Sequence, residues 1–169
     1  YILKPQREDD NFVYVEKDNT EWKIEKKVLL PCVYDLILNL HDTPKANSYI
    51  IFPYNLIDGK AEIISEDIFA EEFKACWKYL NHYKQALLKR KKSKKTIYEL
   101  IKAYEDKGVE SPIKWYQFGR DQSLSKFHDT EKIIWKTLSQ GAAYAYDKDN
   151  IQSTGGGNGP YYSIIPKDN

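Results

Sequence analysis

The sequence contains no methionine, and its first residue is a tyrosine. A chain of that kind reads as a C-terminal piece of a longer protein, so the function to expect is that of a domain. Cysteine is almost as scarce. Cys32 and Cys76 are too few for a disulfide framework and have no zinc-site spacing, which points to a reduced, cytoplasmic setting. No apolar run approaches the ~20 residues of a membrane span, and no signal peptide heads the chain. Charge of one sign is missing too. The formal net charge is +1, so only local segregation of charge can indicate a partner.

The chemistry of an active site is also absent. His41, His82 and His128 are scattered without metal-site spacing, and Cys76 and His82, six apart, fall on different faces of a helix. Gly155 to Gly159 is not followed by the Lys-Ser/Thr of a phosphate-binding loop. Pro53-Tyr54 follows Phe52, not the Asn or Asp that opens the Asn-Pro-Pro-Tyr-type motif of amino-methyltransferases. No pair of carboxylates stands out for acid–base work. These absences leave no catalytic or metal-binding residue to nominate.

What is present is a chain of 169 residues with 41% hydrophobic and 30% charged residues. That is enough for one globular domain with its own core, and too little for two generous ones. Phe12-Val13-Tyr14-Val15 and Trp22-Lys23-Ile24, separated by the polar 16–20 segment, predict a hairpin. Val28 to Val33 contains Pro31 and predicts a short helix or bend. Ser48 to Phe52 predicts a buried strand stopped at Pro53, and Lys60 to Ile64 another. From Ser65, the recurrence of Phe69, Phe73, Trp77, Leu80, Leu87 and Leu88 predicts an apolar helical stripe, closed by a basic run that suits the negative end of the dipole. Thr96-Ile97-Tyr98-Glu99 has the capping-box pattern and starts a second helix, with Ile97, Leu100, Ile101 and Tyr104 inward and Gly108 at its end. Strands return at Trp115–Phe118, Lys132–Trp135, Ala143–Tyr146 and Tyr161–Ile165. Strand hairpins around a helical insert at about 65–108 predict a single α+β domain over 1–169: a curled, mainly antiparallel sheet with two or three packed helices mid-chain.

Charge segregation gives the first functional cue. Lys89-Arg90-Lys91-Lys92-Ser93-Lys94-Lys95 holds no acid, whereas Glu62, Glu66, Asp67, Glu71 and Glu72 cluster just before it. The second cue lies between Trp115 and Ile165, where flat rings, forked donors and glycines suit contact with bases and phosphates. Each has a plainer reading: a solvated basic helix end, strand aromatics and a mobile glycine turn.

Leu30-Pro31-Cys32-Val33, Tyr49 to Tyr54, Tyr79-Leu80 with Leu87-Leu88-Lys89-Arg90, Trp115-Tyr116 with Arg120, Lys132-Ile133, Tyr146-Asp147 and the glycine turn into Tyr161 follow one another in a recognisable order. In that order the chain resembles the TaqI-like C-terminal specificity domain, the DNA target-recognition domain of adenine-N6 methyltransferases and fused type II restriction–modification enzymes. It departs from the family in having Glu131 where a proline usually precedes the Lys-Ile pair, and in a long 91–112 segment. The resemblance implies a fragment that recognises double-stranded DNA and stands C-terminal to a methyltransferase domain. That domain, absent here, would bind S-adenosylmethionine and flip the adenine; a nuclease is a further option for the parent.

The site expected on this reading contains Arg120 and Gln117 on base edges, with Gln122 and Ser123 beside them. Lys126, Lys132, Lys89, Arg90, Lys91 and Lys92 would hold phosphates, and Thr154, Gly155, Gly156, Gly157 and Asn158 would approach the backbone. Trp115 and Tyr116 would act as strand residues that position Arg120. Arg120, Lys132 and Gly156 should then share one concave wall. The rival expectations are a protein-interaction module, a single-stranded nucleic-acid-binding module, and a small enzyme whose site only the fold assembles.

Overall fold

The computed structural model describes residues 2–34, 43–119, 124–126, 128–136, 141, 143–153 and 161–165. Two short strands come first, β1 (Ile2–Leu3) and β2 (Arg7–Glu8). The expected hairpin follows as β3 (Phe12–Lys17) and β4 (Thr20–Glu25), in register from Phe12↔Glu25 to Lys17↔Thr20. Its turn is Asp18-Asn19, both in the left-handed region at φ 52° and 56°, which these short polar side chains tolerate. Alternation sends Val13, Val15, Trp22 and Ile24 into the core.

The bend predicted at Val28–Val33 is a strand. After a single 3-10 turn at Lys26–Val28, β5 (Leu29–Val33) pairs antiparallel with β6 (Ser48–Ile51), Pro31 opposite Tyr49. The proline is tolerated because the strand on its other side reaches only Cys32 and Val33, so no ladder bond is needed from residue 31 there. The chain beyond Pro53 does not stop but enters a hairpin, β7 (Tyr54–Ile57) and β8 (Lys60–Ile63), turned by Asp58-Gly59 at φ 48° and 72°.

The single helix expected from Ser65 is three: α1 (Glu66–Glu72), α2 (Lys74–His82) and α3 (Lys84–Leu88). It breaks at Phe73 and again at Tyr83, where the backbone leaves helical angles. The first break has a partner that sequence spacing cannot reveal. The Glu25 carboxylate, at the end of β4, accepts the N–H groups of Ala75 and Cys76, both at 2.8 Å. It therefore caps the new helix start from fifty residues away, at the positive end of the α2 dipole. Glu25→Ala is expected to cost about 1.5–3 kcal/mol, the range for hydrogen bonds to a charged group, read from the shift in urea midpoint.

The basic run does not close a helix. It forms a hairpin, β9 (Lys91–Lys92) and β10 (Lys95–Thr96), with Ser93 at φ 63° in the turn. Thr96 then caps α4 (Ile97–Glu105) with both halves of the predicted capping box in place. Ile97 is buried, Leu100, Ile101 and Tyr104 are half-buried, and Gly108 takes the left-handed φ of 70° after the helix end. The late strands are β11 (Lys132–Lys136), β12 (Tyr144–Asp147), β13 (Gln152–Ser153) and β14 (Tyr161–Ile164). Trp115–Phe118 is a turn, not a strand.

The sheets run β1-β6-β5-β13, β2-β3-β4, β7-β8, β9-β10 and β12-β11-β14. Only β13 against β5 is parallel. The fold is α+β, built of curled, mainly antiparallel sheets with four α-helices among the described residues. The helices are not an appendage. Phe69, Cys76, Tyr79, Leu80 and Ile97 share the larger core cluster with the β3–β4 hairpin and with Trp115 and Tyr116. A second cluster joins Val33, Ile134, Ala145, Ile151 and Tyr161. Strand β5 links the two, placing Leu29 in the first and Val33 in the second.

Candidate nucleic-acid interface

The basic run and the Trp115 segment, far apart in sequence, are brought together. Arg90 does this by giving up its own charge to the scaffold. Its Nη2 donates to the carbonyls of Trp115 at 3.0 Å and Gln117 at 2.9 Å, and its Nε donates to Leu87 O at 3.0 Å. A guanidinium committed to three carbonyls is a staple, so Arg90 is corrected from a phosphate ligand to a positioning residue. One position further, Lys91 presses its carbonyl against Gly119; a Cβ built on that glycine would meet the oxygen at 2.8 Å. Gly119→Ala is accordingly expected to cost about 1–3 kcal/mol by overpacking and to push the hairpin away from the turn, measurable as a lowered melting temperature.

The Trp115 turn itself is core. Trp115 and Tyr116 are buried, and the Tyr116 Oη donates to Ile64 O at 2.7 Å. Burial pushes that phenol up from its ordinary value. Lys84 sits over the Trp115 ring at 4.8 Å. Gln117 is buried as well, its Oε1 accepting the Lys114 N–H at 3.2 Å. Trp115 and Tyr116 therefore present no face to a base, and Gln117 has its amide oxygen committed to the Lys114 N–H. The sequence signal of flat rings was real, but their apolar area is spent inside.

Beyond the turn the chain is clasped. Phe118 and His128 both pack on Phe52, at 6.0 and 6.1 Å between ring centroids, and Tyr54 holds Phe118 by ring contact at 5.3 Å. The Phe118 N–H donates to the Tyr54 Oη at 2.7 Å. These contacts hold Phe118 and His128 to Phe52, just after β6, and Phe118 to Tyr54 at the start of β7. Lys126 is exposed between Phe118 and His128. Arg120, Gln122 and Ser123 lie outside the described residues, as do Thr154, Gly155, Gly156, Gly157 and Asn158. The expected shared wall of Arg120, Lys132 and Gly156 therefore has only its lysine in view.

That lysine is not on a wall. Lys132 Nζ lies 2.8 Å from Asp147 Oδ2, both side chains wholly buried. It also donates to Thr130 O at 3.4 Å. Asp147 in turn accepts the N–H groups of Asp149 and Ile151. Lys132 is corrected from a phosphate contact to the internal tie between β11 and the turn leading to β13. A buried lysine leaves no signature in composition; only its partner, in register opposite on β12, reveals it.

Besides Lys126, the expected cations exposed on or beside the hairpin are Lys89, Lys91 and, in the same run, Lys94 and Lys95, with Lys92 half-buried among them. Glu99 stands at the hairpin's foot. Its carboxyl is held below the usual carboxylate range, first by the Thr96 N–H and hydroxyl and also by Lys95 and Lys91. The arrangement is a cationic hairpin flanking the entry of a clasped loop, which suits contact with a polyanion.

No cluster of three His, Cys, Asp or Glu among the described residues could hold a metal ion. Both cysteines are buried; burial pushes the Cys32 thiol up to about 12 and Cys76 well above its ordinary value, the reverse of an activated nucleophile. No helix among the described residues is long and apolar enough to cross a membrane.

No family model matches the chain. It is 26% identical over 170 residues to the Type II restriction enzyme and methyltransferase RM.Eco57I of Escherichia coli. The match takes in 98% of this chain but only 16% of that protein. The similarity thus runs through both core clusters and the basic hairpin, not through one motif, and the chain corresponds to a small part of the relative's length.

Proposed function

We propose that this chain is the part of a restriction–modification enzyme that recognises double-stranded DNA and positions it for chemistry performed elsewhere in that enzyme. The observation that carries the reading is the similarity, over 98% of this chain, to a restriction enzyme and methyltransferase. The basic hairpin, held against Gly119 by the Arg90 staple, supports it. In this reading Lys89, Lys91, Lys94, Lys95 and Lys126 meet phosphates and set orientation without reading sequence. Arg120, with Gln122 and Ser123, reads base edges from the clasped loop, and the glycines at 155–157 come close to the backbone. The target is an adenine, and S-adenosylmethionine belongs to the methyltransferase part of the enzyme; no described residue of this chain is assigned to the cofactor.

Binding of duplex oligonucleotides across a salt series tests the proposal. Lys91→Ala with Lys95→Ala is expected to weaken all sequences alike and flatten the salt dependence by about 0.9 per lost phosphate contact. Arg120→Ala is expected to relax preference at one base position by about 1–3 kcal/mol. Equal loss on every sequence after Arg120→Ala removes its base-reading role. Preference for single strands over duplex in direct competition would favour a single-strand binder instead.

A further inference from the structure

The sheet β12-β11-β14 has an inner face in the second core cluster and an outer face whose tyrosines and isoleucines are exposed. Register fixes the outer face as two rows: Tyr146, Ile133 and Ile164, then Tyr144, Trp135 and Tyr162. Trp135 stacks on Tyr162 at 5.4 Å and lies 6.3 Å from Tyr144. The three tyrosines are 45–49% exposed and the two isoleucines 36% and 48%. With aromatic side chains carrying roughly 150–250 Å² each, the open patch is of order 500 Å², at the top of what monomers leave uncovered.

We propose that this face is the docking surface for another part of the same polypeptide, an apolar and charge-poor protein surface of the larger enzyme. The inference rests on the reading of the chain as one part of a restriction–modification enzyme. None of the six outer positions is charged. At its edge Lys148 lies over the Tyr146 ring at 5.5 Å, and the Tyr146 hydroxyl donates to Glu131. A phosphate-bearing partner wants cationic excess, which the hairpin has and this face lacks. Tyrosine, tryptophan and isoleucine without charge are instead the make-up of a protein interface core. The patch, on the order of 500 Å², is more than half of the ~800 Å² that one side gives a standard interface. The matched relative, of which this chain covers 16%, has ample further chain to supply the other side.

Hydroxyl-radical labelling of the intact polypeptide that carries this sequence tests the inference, with Tyr98, 51% exposed on α4, as the internal reference. Tyr144, Tyr146 and Tyr162 are expected to label several-fold more slowly than Tyr98, without DNA and at every protein concentration. Labelling at the Tyr98 rate overturns the proposal. Protection that appears only with added DNA assigns the face to nucleic acid, and protection that appears only as protein concentration rises assigns it to a second copy; either overturns it as well. Duplex binding and its salt dependence, measured on the same preparation, judge the DNA-recognition reading separately.

Discussion

Lys132→Met is expected to destabilise the fold by about 3–5 kcal/mol, the cost of breaking a buried ion pair from one side. The loss should show as a lower urea midpoint with an unchanged slope. The size follows from what remains. Asp147 is left in a wholly buried position without its cation, with the amides of Asp149 and Ile151 as its remaining partners. Replacing both partners with apolar residues does not restore the site, because those two amides then lose their acceptor. The same variant separates scaffold from interface. A lysine on a phosphate would leave the urea midpoint in place and change the salt slope of DNA binding by about one; that outcome overturns the internal role assigned here.

The second large effect is expected at Phe69. Phe69→Ala should cost about 3–5 kcal/mol, as for other fully buried aromatics. Its ring lies 5.2 Å from Phe73, 5.9 Å from Trp77 and 5.4 Å from Tyr116. It therefore joins α1, α2 and the Trp115 turn in one packed group, and the turn in turn carries the Arg90 staple. A double-mutant cycle with Tyr116→Phe, which orphans the buried Ile64 carbonyl, should show coupling of about 0.5–3 kcal/mol. Additive losses would mean that helix and turn are held independently.

Period and punctuation made much of this fold readable in advance. The alternation of Val13, Val15, Trp22 and Ile24 gave the first hairpin, and the Thr96–Glu99 pair gave the start of α4. The run Lys132 to Trp135, rich in β-branched and aromatic residues, gave β11. Asp58-Gly59 was a hairpin signal that could have been read, and would have placed β7. What escaped the sequence was long-range pairing. The stripe from Phe69 to Leu88 has helical spacing throughout, and only Glu25, from the first hairpin, explains why a new helix begins at Lys74. Lys89 to Lys95 is a charge run by any local measure; that it folds as a hairpin depends on Gly119 and the Arg90 staple. Trp115, Tyr116, Gln117 and Lys132 have the right chemistry for a nucleic-acid surface, and burial alone removes them from it.

The aromatic clasp has a corollary for chain length. Because Phe118 and His128 both pack on Phe52, they set the two anchors of a cassette at positions 119–127. Lengthening such a cassette costs only ~0.6 kcal/mol of closure entropy for each doubling. Changes in its length should therefore leave Phe118 and His128 in place, which insertion variants scored by urea midpoint would show.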